Sequence, residues 1–151
     1  MTKEEIFRQT GIPTGKSSGK VEPHIKYAMF MGLLTDKVEN GTHLLKRTAL
    51  GEKVYEADRN LLEPLTMLVC HYNITSSPDG ASLWQFLFRK AIPGLGMKIE
   101  QDILANAASI EFGVPKVNLT PLKVCYTAEK CFGSLGLLEV SSNKVWEFKS
   151  I

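Results

Sequence analysis

At 151 residues, with 44% hydrophobic and 23% charged residues, the chain is long enough for one compact domain or two small units sharing a core, and general disorder is excluded. No apolar run reaches the roughly 18 residues of a membrane span, and the start Met1-Thr2-Lys3-Glu4-Glu5-Ile6 lacks the parts of a secretory signal, so a cytoplasmic protein with no membrane role is expected. The net charge of +2 is too small to establish a nucleic-acid partner, but residues 1–50 hold eight Lys or Arg against five Asp or Glu, which puts the positive excess in the first third.

Thr2 followed by Glu5 is a capping box, and it predicts a short helix through Ile6, Phe7 and Gln9 that stops at Gly11. Residues 12–20 are polar and rich in turn formers, a tight connection. Val21, Ile25, Ala28, Met29 and Gly32 or Leu33 recur at threes and fours. Since Pro23 is tolerated only in a first turn, a helix is expected from Val21 or Glu22 to Gly32. Asn40-Gly41, a pair that accepts positive φ at both positions, predicts a hairpin with strands near 34–38 and 42–45.

Thr48 can cap a helix reaching Ala57, and residues 62–74 read as a dense apolar helix carrying Leu65, Met67, Leu68, Cys70, His71 and Tyr72. After the break at Ser76-Ser77-Pro78-Asp79-Gly80, a helix from Asp79 or Ser82 runs through Trp84, Phe86, Leu87 and Phe88 to Pro93-Gly94-Leu95-Gly96. Residues 98–112 read as one helix with Ile99, Ile103, Leu104, Ala107 and Ile110 on one face. Thr120-Pro121 starts a helix through Val124, Cys125, Ala128, Cys131 and Phe132 to Gly136, followed by a hairpin of 137–140 and 144–148 around Ser141-Ser142-Asn143.

A helix ending at Gly32-Leu33-Leu34 before one hairpin is echoed by Gly136-Leu137-Leu138 before the other. Each is the closing part of a winged helix-turn-helix. The expected fold is therefore mainly α: a winged helix-turn-helix-like unit over 1–58, a helical middle over 59–113, and a second winged-helix-like unit over 114–151, packed as one globular body.

Thr48-Ala49-Leu50-Gly51-Glu52-Lys53-Val54, Glu63-Pro64-Leu65-Thr66-Met67-Leu68, His71-Tyr72-Asn73-Ile74 and Gly80-Ala81-Ser82-Leu83-Trp84-Gln85-Phe86-Leu87-Phe88 together resemble a bacterial family of unassigned function. That family is often encoded beside genes for DNA phosphorothioation and phage defence, and the resemblance spans mainly residues 5–90. It implies a prokaryotic, DNA-linked context and carries no catalytic residues.

Duplex DNA is the expected partner. Lys16, Ser17, Ser18 and Lys20 precede the second helix, whose N-terminus is partly positive, and lysines, hydroxyls and free amides are the groups that hold phosphates. His24 and Lys26 lie one or two turns further on, and Lys37, Lys46 and Arg47 would add contacts from the hairpin, although Asp36 and Glu39 share it. Three or four phosphate contacts bind weakly, so a homodimer or a modification-enzyme partner is expected for tight binding.

Gly11-Ile12-Pro13-Thr14-Gly15-Lys16-Ser17 does not make a nucleotide-phosphate loop, because Thr10 stands where the first glycine belongs and no buried strand precedes it. Trp84, Phe86, Phe88, Tyr72 and Phe112 sit among aliphatics at helical spacing and read as core rather than base-stacking residues. His71 and Cys70, adjacent on a helix, point about 100° apart and form no dyad. Cys70, Cys125 and Cys131 show no Cys-x-x-Cys pair and read as buried, inert thiols, and His24, His43 and His71 lack zinc-ligand spacing. No enzyme, metal or cofactor is expected. The alternative reading is a non-catalytic adaptor that docks a modification enzyme.

Overall fold

The computed structural model describes residues 1–10, 12, 20–76, 78 and 80–150. The chain is mainly helical, with one two-stranded and one three-stranded antiparallel sheet among the described residues. It divides into two compact units, Met1–Gly80 and Ala81–Ile151, so the residues read as a helical middle are shared between them.

In the first unit, α1 (Lys3–Thr10) opens on the expected capping box. The Thr2 amide donates to Glu5 Oε2 at 2.7 Å, and the Glu5 amide donates to Thr2 Oγ1 at 3.2 Å. The predicted stop at Gly11 and most of the connection before Lys20 lie outside the described residues. α2 (Val21–Phe30) buries Val21 and Ile25, which form a core with Ile6, flanked by Met1, Ile12 and Leu45. Met29, assigned to that stripe from the sequence, is exposed.

β1 (Leu34–Glu39) and β2 (Thr42–Arg47) form the predicted hairpin, with Glu39 opposite Thr42 and the two turn residues at φ 50° (Asn40) and 75° (Gly41). Thr48 then does two jobs: its Oγ1 accepts the Gly51 amide at 2.9 Å and donates to the Gly32 carbonyl at 2.5 Å. One hydroxyl therefore starts α3 (Ala49–Ala57) and ties it to the chain leaving α2. Gly51 is required by space, since a Cβ there would stand 2.0 Å from the Leu33 carbonyl oxygen. Asp58 accepts the amides of Leu62 (2.8 Å) and Glu63 (3.0 Å) ahead of α4 (Pro64–Ser76). Those bonds, that of Leu62 foremost, hold its carboxyl below the ordinary carboxylate range. α4 buries Met67, Cys70 and Ile74, and Asn73 Nδ2 donates to the Met31 carbonyl at 3.0 Å.

In the second unit, α5 (Ser82–Phe86) passes through a π-helical turn, Leu87–Ala91, into α6 (Ile92–Leu95). A proline inside a helix removes one bond and crowds the carbonyl four residues back, and the wide turn directly before Pro93 is where the ladder makes room. The single helix expected over 98–112 is corrected at its start. β3 (Lys98–Glu100) is a strand paired with β5 (Val145–Phe148), and β5 also pairs with β4 (Leu138–Val140), giving the order β3-β5-β4. Ile99 is buried between two exposed charged residues, which is strand periodicity. α7 (Gln101–Phe112) accordingly buries Leu104 and Ala108 and leaves Ile103 and Ile110 at 50% and 74% exposure.

α8 (Thr120–Thr127) begins where Thr120-Pro121 predicts but ends well short of Gly136. Ala128 turns extended, its carbonyl accepts the amides of Cys131 (3.0 Å) and Gly133 (3.1 Å), and a 3-10 turn, Phe132–Leu135, completes the approach to β4. A Cβ at Gly133 would lie 2.4 Å from that same oxygen. The aromatic core joins Tyr126 to Phe88 (5.2 Å between ring centroids) and Phe132 (5.4 Å), with Phe148 6.0 Å from Phe88. Trp84 and Phe86 are buried as expected, whereas Tyr72 of the first unit is 67% exposed and Phe112 38%.

Candidate nucleic-acid interface

The candidate residues of the first unit sit on α2 and the hairpin. Lys20 caps α2 with no side-chain hydrogen bond of its own to the helix, and His24 Nδ1 donates to the Lys20 carbonyl at 2.5 Å, fixing the imidazole against the helix start. Lys20, His24 and Lys26 are all exposed. They are not one cluster: His24 and Lys26 are separated by about 200° around the helix. On the same helix Glu22 is bound to Lys3 at 2.6 Å, and that contact holds the Glu22 carboxyl below its ordinary value. Lys16, Ser17 and Ser18 lie outside the described residues.

Strand alternation divides the hairpin cations. Residues opposite one another share a face, so Lys37 and Lys46 stand with Thr35, Glu39, Thr42 and Leu44 on the outer face. Arg47 belongs to the inner face, with Leu34, Asp36, His43 and Leu45. Lys37 is paired with Glu39 at 2.5 Å. Arg47 donates to Glu52 at 2.9 Å, which raises its already high pKa, and its guanidinium lies 4.0 Å over the Tyr55 ring, which also receives Arg59 at 4.3 Å. Of the cations expected to meet phosphate, Lys20, Lys26 and Lys46 have no ion-pair partner among the described residues.

The inner face also holds a pair that the sequence reading passed over. His43 Nδ1 meets Asp36 Oδ2 at 2.7 Å, with the two side chains 7% and 8% exposed, while Asp36 Oδ1 is buried without a hydrogen bond. Met1 clamps the same point, its amino group donating to the His43 carbonyl at 2.7 Å and its carbonyl accepting the His43 amide at 2.8 Å. Counting by twos from the Asn40-Gly41 turn would have placed His43 inward.

The second unit presents a basic surface absent from the sequence reading. Lys116 and Lys123 border a groove of about 820 Å³ between the starts of α7 and α8, lined also by Asp102, Asn118, Thr120 and Thr127. Lys144 sits at φ 61° in the β4–β5 loop, its carbonyl accepting the Gln101 amide at 2.9 Å, while Gln101 Oε1 accepts the Trp146 indole at 3.2 Å. Lys116, Lys123, Lys130 and Lys144 have no ion-pair partner among the described residues, whereas Lys98 and Lys149 on the sheet are paired with Glu147 and Glu139. The signal that could have found them is the place of Lys123 on the helix that Thr120-Pro121 starts ahead of the second hairpin.

Among the described residues no three His, Cys, Asp or Glu converge as a metal site, and no helix is long and apolar enough to cross a membrane. The three cysteines are free thiols; Cys70 is buried as expected, but Cys125 and Cys131 are only partly so, which corrects their reading as buried. Comparison of the chain with protein-family models, with curated proteins and with solved structures finds no match.

Proposed function

We propose that the protein is a non-catalytic, duplex-DNA-binding accessory component of a prokaryotic DNA-modification or defence system, with a winged helix-turn-helix-like unit in each half. The observation that carries this reading is the second unit. Its order, with α5 to α6 taken as one helical stretch and the 3-10 turn set aside, runs helix, strand, helix, helix, strand, strand with the sheet arranged β3-β5-β4, and that order supports the winged-helix reading. In that reading α8 is the recognition helix, offering Thr120, Lys123, Val124 and Thr127, and the β4–β5 loop with Lys144 is the wing. Lys116 and Asn118, just ahead of α8, would hold phosphates beside its N-terminus. The first unit adds Lys20, His24 and Lys26 from α2 and Lys37 and Lys46 from the outer hairpin face, together with Lys16, Ser17 and Ser18.

The resemblance of residues 5–90 to a family encoded beside DNA phosphorothioation genes supplies the biological setting. The test is fluorescence anisotropy of the whole chain with labelled duplex DNA at two salt concentrations. Neutralising three or four phosphates predicts affinity falling by about 40- to 150-fold between roughly 50 and 200 mM salt. Absence of binding at the lower salt overturns the proposal.

A second reading, a docking adaptor for a modification enzyme, is favoured by Leu62, Leu65 and Tyr72, which in and just before α4 are 76%, 73% and 67% exposed. Capture of a modification enzyme by a chain that binds no duplex would select it.

A further inference from the structure

Cys125 lies on the last turn of α8 and Cys131 immediately before the 3-10 turn, and their sulfurs stand 3.2 Å apart. Six residues along an unbroken helix would set the two side chains about 240° apart. The contact exists because the chain breaks at Ala128, whose carbonyl takes the Cys131 amide and folds that residue back over α8. Both thiols are partly exposed. We propose that Cys125 and Cys131 form a reversible redox site, a dithiol that a peroxide converts to an intramolecular disulfide.

The two sulfurs are not equivalent. The contact with Cys125, and a hydrogen bond from the Phe132 amide, hold the Cys131 thiol down to about 7 against the opposing effect of burial. The same contact, with burial, pushes the Cys125 thiol up. Cys131 is therefore the attacking thiolate and Cys125 the resolving group.

The Cys131 thiolate attacks one peroxide oxygen, the O–O bond breaks, and the departing hydroxide is protonated to water, leaving Cys131 as the sulfenic acid. The Cys125 sulfur then attacks Cys131 Sγ, the S–O bond breaks, and the leaving hydroxide takes the Cys125 proton. Two thiols and one hydrogen peroxide become one disulfide and two waters. Bond formation asks the sulfurs to approach by roughly 1.1 Å from their contact distance.

The whole chain is treated with hydrogen peroxide near neutral pH and followed by intact mass and peptide mapping. A loss of two hydrogens, restored by dithiothreitol and mapped to a peptide linking residues 125 and 131, is the expected result. Cys70, buried in α4, serves as the internal control. In Cys125→Ser the sulfenic acid persists and dimedone labels Cys131; in Cys131→Ser labelling falls about tenfold, as the less acidic thiol remains. The wild-type measurement stands whether or not the variants fold. An unchanged mass, a linkage through Cys70, or equal labelling of the two variants overturns the proposal.

Discussion

His71 carries the clearest consequence of burial for a single side chain. Desolvation pushes its imidazole down to about 4 from an ordinary value of 6.5, so the folded chain keeps it neutral where the unfolded chain takes up a proton. Between those two values the unfolded state binds more protons, and linkage makes stability fall as pH falls. The contribution is complete above about 6.5 and is lost by about 4. Urea midpoints measured across that window should drop toward acid, and His71→Gln should flatten part of the slope. An identical slope in the variant would assign the acid sensitivity to other groups. Asp58 acts in the same direction, for its carboxyl is held down by the Leu62 and Glu63 amides, and the stability it contributes is lost only at still lower pH.

At the scale of elements, the β1–β2 hairpin shows how alternation sorts one basic cluster into two roles. Lys46 stands on the outer face with no ion-pair partner among the described residues, and Arg47, one residue on, is committed inward to Glu52 and Tyr55. Lys46→Glu should leave the thermal midpoint in place and reduce the log–log salt slope of DNA binding by about one. Arg47→Ala should lower the thermal midpoint and leave the slope alone. The reverse pattern would mean that Arg47 leaves Tyr55 to meet phosphate. The sequence holds this division, because the Asn40-Gly41 turn fixes the register and the parity of every strand residue follows, but grouping Lys37, Lys46 and Arg47 as one set of contacts passed it over. The capping box at Thr2 and Glu5 and the cap at Thr48 were legible for the same local reason. β3 was not, since Ile99 stands at helical spacing from Ile103 and its segment becomes a strand only through bonds to a partner far along the chain, with Ile99 opposite Trp146. The end of α8 was hidden too. It depends on the close approach of Gly133 to the Ala128 carbonyl, and with it went the Cys125–Cys131 contact.

For the molecule as a whole, the distribution of charge changes once the two units replace thirds of the chain as the natural divisions. Residues 1–80 hold ten Lys or Arg against ten Asp or Glu, and residues 81–151 hold eight against six, so the excess of +2 belongs to the second unit. In the first unit Glu22, Asp36 and Glu39 stand among the lysines, and Lys3 and Lys37 are already paired. In the second, Lys116, Lys123 and Lys144 are unpaired among the described residues; Lys123 and Lys144 belong to the elements read as recognition helix and wing, and Lys116 stands just ahead of that helix. A polyanion should therefore draw more of its binding free energy from the second unit. The variant carrying Lys116→Glu, Lys123→Glu and Lys144→Glu should lose more affinity, and more of the salt slope, than one carrying Lys20→Glu, Lys26→Glu and Lys46→Glu. Side-by-side anisotropy titrations, with circular dichroism to establish that both variants fold, measure the difference. A greater loss in the first-unit variant would return the principal grip to α2, the outer hairpin face and Lys16, Ser17 and Ser18. If neither variant changes the affinity, DNA is not held by either basic surface, and the exposed Leu62, Leu65 and Tyr72 become the surface that explains the protein.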